Sequence, residues 1–179
     1  MLRIVIPEGE LWDEKTESFL SSKEQSLQLE HSLVSISKWE AKWHKPFLSN
    51  EEKSFEETID YIRFMTITQN VKPEVYEFLT PENIKQIECY IDDPMTAAKF
   101  SDRDRRPSRE IITSETIYHW MISFNIPFEC QKWHLNRLLA LIKVCGNKNL
   151  PPKKVSKAEV FNRYKEINEA RKKKLNSNG

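Results

Sequence analysis

The stretch TSETIYHWMISFNIPFECQKWHLNRLLALIKVCGN, Thr113 to Asn147, is the most apolar part of the chain, and any fold must be arranged to bury it. It is too long for a strand. Leu135, Leu138, Leu139 and Ile142 recur at i, i+3, i+4 and i+7, and Ala140, Leu141 and Val144 widen that stripe around most of the circumference. Pro127 disfavours helix at the residue before it. The segment therefore predicts two helices, about Ser114 to Phe124 and Phe128 to Cys145, the second as the centre of the core and Gly146 as its C-cap.

The rest of the chain supplies elements to pack against it. LRIVIP, Leu2 to Pro7, is a β-branched run, and SLQLEHSL, Ser26 to Leu33, alternates apolar and polar; together they predict a small N-terminal hairpin with a polar connection. From Val34 the period changes, and Ile36, Trp39, Ala41 and Trp43 suit a short amphipathic helix stopped by Pro46. Ser49 and Glu52 have capping-box spacing, and Phe55, Ile59, Ile62 and Met65 follow as a stripe, which predicts a helix from about Asn50 to Ile67. Thr80 as N-cap and Pro81 at the first helical position start another, with Ile84, Ile87, Cys89 and Ile91 turned inward. The charged segment Asp92 to Thr113 has no helical stripe and reads as a loop or a second hairpin over about residues 96 to 113. Pro151 and Pro152 stiffen a linker, after which Ser156 and Glu159 begin a helix with Val160, Phe161, Tyr164 and Ile167 on one side, its final turns fraying. The expected class is α+β, mainly α-helical: a helical core domain over 1–150 with the N-terminal hairpin, and a basic helical arm over 151–179.

Composition limits what such a fold can do. There are three glycines, Gly9, Gly146 and Gly179, so neither a phosphate-cradling loop nor a G-x-G-x-x-G turn can be built. No apolar run approaches the length needed to span a bilayer, and the opening MLRIVIPEGE reaches acidic residues too soon for a signal peptide. Three cysteines without close pairing suit reduced thiols in a cytoplasm. From Lys153 to Lys174, nine Lys or Arg stand against three Glu, a local +6 that leaves the remainder near −5 within a net charge of +1. A basic arm on an acidic body marks either a nucleic-acid contact or an interaction tail.

Candidate chemistry is sparse. Cys130 and His134, four apart on one expected helix, could share a metal with His31, His44 or His119. Structural zinc sites show close pairs such as C-x-x-C, however, and none is present. A Cys–His nucleophile pair can be picked from almost any chain this long, whereas Cys130 and Cys145 suit small buried hydrophobes. His134, Asn136 and Glu115 are polar groups beside the most apolar surface, expected as a hydrogen-bond set joining the two helices. DRDRRPSR holds Arg103, Arg105, Arg106 and Arg109, self-neutralised by interleaved aspartates and without aromatic residues, unlike a phosphate-binding stripe. No catalytic residue, cofactor or metal is assigned.

The segments LEHSLVSISKWEAKWHKPFL, EETIDYI, MTAAKF, IITSETIYHWMISFNIPFECQKWHLNRLLALIKVC, PPKK and NEARKKKLNSNG together resemble a group of small virion-assembly proteins of tailed bacteriophages, most closely a tail assembly chaperone family. The resemblance spans nearly the whole chain, with Ile111 to Cys145 as its most specific signature; the ending LNSNG departs from the small-residue ending expected. It implies a non-enzymatic role in the host cell cytoplasm: keeping the tape measure protein soluble and bringing it together with tail tube subunits. An amphipathic partner needs aromatic anchors, and Trp39, Trp43, Trp120 and Trp133 are either those anchors or core residues. On the arm, Phe161 and Tyr164 form the apolar side and Lys165 and Arg171 the basic side of a candidate contact with a partner or with a second copy in a homo-oligomer. Two alternatives stand beside this reading: a connector or tail-completion component that stays in the virion, and a DNA-binding packaging protein that uses the basic arm on nucleic acid.

Overall fold

The computed structural model describes residues 1–13, 18–98, 100, 111–149 and 157–175. It is a mainly α-helical α+β protein. By internal contacts the chain divides into two units, Met1–Gly146 and Asn147–Gly179.

The first unit opens with four strands: β1 (Leu2–Ile6), β2 (Gly9–Asp13), β3 (Ser18–Ser22) and β4 (Gln25–Leu29). β1 pairs antiparallel with β4, Ile4 opposite Leu27, as the alternation predicts; β2 and β3 form a second antiparallel ladder within the connection that the sequence reads as polar. Period-2 side chains put Ile4, Ile6, Leu27 and Leu29 on the buried face while Val5 stays half exposed. Gly9 passes so close to the Phe78 ring that a Cβ there would lie 3.0 Å from a ring carbon, so a larger residue would need the ring to shift by a few tenths of an ångström.

α1 (Leu33–Trp43) follows directly, started by a capping box between Ser32 and Ser35 and ended by His44 in the left-handed conformation, two residues before Pro46. Leu33, Ile36 and Trp39 are buried, while Ala41 is exposed. α2 (Phe55–Met65) starts later than expected. Two S-x-x-E pairs compete, and the one that caps is Ser54 with Glu57. That choice buries the Glu57 carboxylate, where it accepts from Ser54 N–H at 2.7 Å and from Lys45 Nζ at 2.7 Å. Phe55, expected in the stripe, is the first helical residue and 74% exposed. α2 also ends early, because Thr66 and Ile67 turn extended along β4: Glu30 N–H donates to the Met65 carbonyl at 2.9 Å and Ile67 N–H to the Gln28 carbonyl at 2.8 Å.

A 3-10 segment at Pro73–Phe78 leads to α3 (Pro81–Asp92), capped by Thr80 and Asn83. Its inward face is Asn83, Ile87 and Tyr90, the i−4 and i+3 neighbours of Ile87. Cys89, expected inward, is two positions on from Ile87 and therefore faces solvent. The second hairpin expected near 96–113 lies largely outside the described residues, as do the four arginines of DRDRRPSR.

α4 (Ser114–Ser123) forms where a helix is expected and buries Ile117 and Met121, four residues apart on one face. The helix expected from Phe128 does not begin there. Residues Phe128–Lys132 form a 3-10 segment, and α5 (Leu135–Asn149) starts only after His134 has bridged to Ser32 and Leu135 N–H has bonded the His31 carbonyl at 2.7 Å. That bridge holds residues 133–134 extended, and it separates Cys130 and His134 onto different elements. α5 buries Leu135, Leu138 and Ile142 but is one wall of the core rather than its centre; β1, β4 and α1 supply most of the fully buried side chains. Gly146 does not cap it, for the helix runs on to Asn149. The second unit contains α6 (Lys157–Leu175), which continues helical through Lys174 and Leu175 where fraying is expected; Ser156, its expected cap, lies outside the described residues. Among the described residues no helix is long and apolar enough to cross a membrane.

Candidate interaction surfaces

The four candidate tryptophans separate by burial. Trp39 is 1% exposed, donates its indole N–H to the Glu57 carbonyl at 2.8 Å and lies edge-on to Phe47 at 5.1 Å. It is a core residue and offers no surface to a partner. Trp43 is half-buried beside it, with ring centroids 6.5 Å apart, and its indole N–H is enclosed without an acceptor. Together with Lys42, Phe55, Asp60, Arg63 and Glu77 it lines a groove of about 240 Å³ between α1 and α2. Trp120 on α4 and Trp133 before α5 are also half-buried, and the Arg137 guanidinium covers the Trp133 ring at 4.4 Å. Trp39 is buried and neither Trp120 nor Trp133 lines the groove at Trp43.

On α6, Phe161 is 70% exposed, Tyr164 63% and Ile167 38%, and Lys165 and Arg171 are exposed with them. The Val160 side chain lies outside the described residues.

The polar groups do not form the expected set. Glu115, in the first turn of α4, is exposed; hydrogen bonds near the helix N-terminus, chiefly from Thr113, hold its carboxyl below the usual range. His134 instead donates from Nε2 to the Tyr90 carbonyl at 2.9 Å, and Asn136 Nδ2 donates to the carbonyls of Ile91 and Asp93. The partner element is thus the C-terminal end of α3, whose last carbonyls lack intrahelical donors. The buried carboxylate at the start of α4 is instead Glu40, on α1, which accepts from Ser114 N–H and from Phe47 N–H, each at 2.8 Å, and so ties α1 to α4.

A buried joint lies next to this. His31 Nδ1 and the Tyr61 hydroxyl are 2.5 Å apart, the His31 and His134 rings are centred 5.0 Å apart, and Tyr90 hydroxyl donates to Glu30 at 2.6 Å. Burial, with the neighbouring His134 second, lowers His31 to about 3. Burial likewise raises the Tyr61 and Tyr90 phenols, the latter aided by Glu30. These bonds tie β4, α1, α2, α3 and the start of α5 at one point. Among the described residues no group of three His, Cys, Asp or Glu is arranged to hold a metal ion.

Sequence reasoning missed Trp12 and Phe19. They are cross-strand partners on β2 and β3, edge-on at 4.9 Å, yet 53% and 71% exposed. A signal was present: Leu11–Trp12 and Phe19–Leu20 are apolar pairs spaced symmetrically about a polar turn, as hairpin partners must be. Comparison of the chain with known protein families, with characterised proteins and with solved structures found no match.

Proposed function

We propose that the protein is a non-enzymatic tail assembly chaperone of a tailed bacteriophage, which works in the host cell cytoplasm and holds the tape measure protein for assembly with tail tube subunits. The resemblance supplies the reading. The observation that carries it is the α6 surface: a narrow apolar stripe, Phe161, Tyr164 and Ile167, exposed on a helix rich in lysine and arginine. An amphipathic helix of this kind docks its apolar side on another apolar stripe, and a long helical partner presents one. The arm's charge of +6 steers such an encounter toward acidic surfaces. Trp43 and its groove add an aromatic anchor on the body.

The test is co-purification of the tape measure protein of the same phage with the full chain and with a chain truncated after Leu150. The truncated chain should keep a cooperative melt and lose most of its tape measure binding, more at low salt than at high salt. Equal capture by both chains would remove the arm from the reading. Fixed copy number in purified virions would replace the chaperone by a connector, and arm-dependent, salt-sensitive retention on DNA would replace it by a packaging protein.

A further inference from the structure

We infer that α6 is one half of a two-stranded coiled coil with another protein, and that the segment it binds is an acidic helix, apolar along its core positions and lined with Asp or Glu on both edges of that stripe. The inference rests on the reading above only in taking α6 as the partner contact; it adds the chemistry of the segment bound there.

The register of the helix carries it. Core positions of a coiled coil recur at alternating steps of three and four residues. From Phe161 those steps reach Tyr164, Asn168, Arg171 and Leu175, a single line over two heptads, and all five side chains are exposed. The line is apolar at both ends and polar in the middle. The positions that flank it are Lys165 and Lys172 on one edge and Ile167 and Lys174 on the other, exposed as well. Glu166 and Glu169 fall on the outer side, away from the line. Within Phe161–Leu175 every charge that borders the line is therefore positive, although the same stretch carries glutamates.

That sorting selects the occupant. A second copy of α6 is a poor partner: pairing in parallel sets Arg171 against Arg171, and pairing antiparallel sets the edge of Lys165 and Lys172 against its own likeness. Nucleic acid would neutralise the lysines but leave Phe161 and Leu175 in water. An acidic amphipathic helix answers both features. It would place apolar side chains against Phe161, Tyr164 and Leu175, a polar one against Asn168, carboxylates opposite Lys165, Lys172 and Lys174, and one carboxylate in the core facing Arg171. Arg171 makes the choice selective, because enclosing its charge without an acidic partner is costly. The contact spans about 22 Å at 1.5 Å per residue.

The experiment titrates the full chain into a labelled, end-capped peptide of about three heptads, read by fluorescence anisotropy, with leucine at the core positions, one core glutamate intended for Arg171, and glutamate at both flanking positions. Two further peptides carry glutamine or lysine at the flanks. The acidic peptide should bind at least about tenfold more tightly than the glutamine peptide, because the flanking lysines lose their partners, and the preference should shrink as salt rises. The lysine peptide should not bind. A chain with Lys165→Glu, Lys172→Glu and Lys174→Glu should reverse the order, and one with Phe161→Ser and Tyr164→Ser should bind none of the three, both with the melt of the first unit unchanged. Equal binding of the acidic and glutamine peptides overturns the inference, as does undiminished binding of the acidic peptide to the charge-reversed chain. Self-association that is lost in the Phe161→Ser, Tyr164→Ser chain would overturn it in favour of a second copy, and retention on duplex DNA lost in that same chain would overturn it in favour of nucleic acid. Failure of the acidic peptide with arm-dependent tape measure capture intact sinks this inference alone; peptide binding with capture independent of the arm sinks the earlier reading alone.

Discussion

The two ladders at the N-terminus are built from neighbouring strands of one hairpin path, yet they end as different things. In β1–β4 the inward residues Ile4, Ile6, Leu27 and Leu29 are 0–1% exposed; in β2–β3, Leu11, Trp12 and Phe19 are 43–71% exposed. Strand-forming tendency does not distinguish them, since the outer pair is the more aromatic. The difference is cover. The outer edge of β1 meets α3, where Asn83 Nδ2 donates to the Val5 carbonyl at 3.1 Å, and the outer edge of β4 is bonded by Thr66–Thr68. β2 and β3 pair with each other and approach the Pro73–Phe78 segment, Gly9 lying beside the Phe78 ring, but their outward side chains Leu11, Trp12 and Phe19 stay exposed. A strand becomes core when its face is covered as well as its backbone paired; a two-stranded ribbon with an exposed face is marginal in water.

The largest effect that tests this contrast is a charge placed in the inner ladder. Leu27→Asp would bury an unpaired carboxylate opposite Ile4 and should cost on the order of 4 kcal/mol or more, enough to abolish the cooperative thermal melt of the first unit. A retained melt would show that the inner ladder is no more essential than the outer.

Next in size is a pH dependence seated at the end of β4. His31 is buried and its folded value is lowered to about 3, against about 6.5 when exposed, so between those values the unfolded chain binds a proton that the folded one does not. Stability is therefore complete above about pH 6.5 and falls as pH is lowered toward 3. Between pH 7 and pH 5 this single group removes about 2 kcal/mol, before most carboxylates titrate. Urea melts across that interval measure it; a flat profile would mean that His31 takes up its proton as readily in the fold as in the unfolded chain, and that the joint with Tyr61 and His134 is arranged differently.

A smaller effect concerns the edge of β1. Asn83→Ala deletes both the α3 capping-box partner of Thr80 and the donor to Val5, and should cost about 1–2 kcal/mol by denaturant midpoint with an unchanged slope. Faster amide exchange in β1 than in β4 would tie the loss to the edge rather than to the helix cap.

Features with local causes were legible in the sequence. Strand alternation pairs Leu2–Ile6 with the strand ending at Leu29, the Thr80–Pro81 start of α3 is a cap read directly, and i, i+3, i+7 spacing finds Leu135, Leu138 and Ile142. What escaped is decided at long range. Two equivalent S-x-x-E pairs precede α2, and the one that caps is the one whose glutamate, Glu57, is buried in the fold and paired with Lys45. The short 3-10 stretch before α5 exists because His134 pairs with Ser32, a hundred residues earlier. Glu40, not Glu115, is the buried carboxylate at α4 because tertiary packing brings α1 to the start of α4, 74 residues on. The candidate surfaces were legible as residue types, aromatic and basic, but not as exposure: Trp39 and Trp43 share one face, and packing against Phe47 and Glu57 buries the first and leaves the second at a groove.

The smallest expected effect is the most informative about the outer ladder. Replacing both Trp12 and Phe19 by threonine keeps strand propensity and removes an aromatic cross-strand pair, a contact that contributes roughly 0.2–1 kcal/mol to local pairing. Both side chains are more than half exposed, so their removal deprives the core of little buried area, and the midpoint of global unfolding should stay within about 0.5 kcal/mol of the unaltered chain. Local opening should respond instead. Amides of β2 and β3 should exchange markedly faster while those of β1 and β4 keep their protection, because the ribbon opens as a separate low-stability unit. A global loss comparable to that of Leu27→Asp would place the aromatic pair in the core and erase the distinction between the ladders. An unchanged exchange rate in β2 and β3 would show that backbone bonds alone hold the ribbon, leaving Trp12 and Phe19 exposed for a reason outside folding.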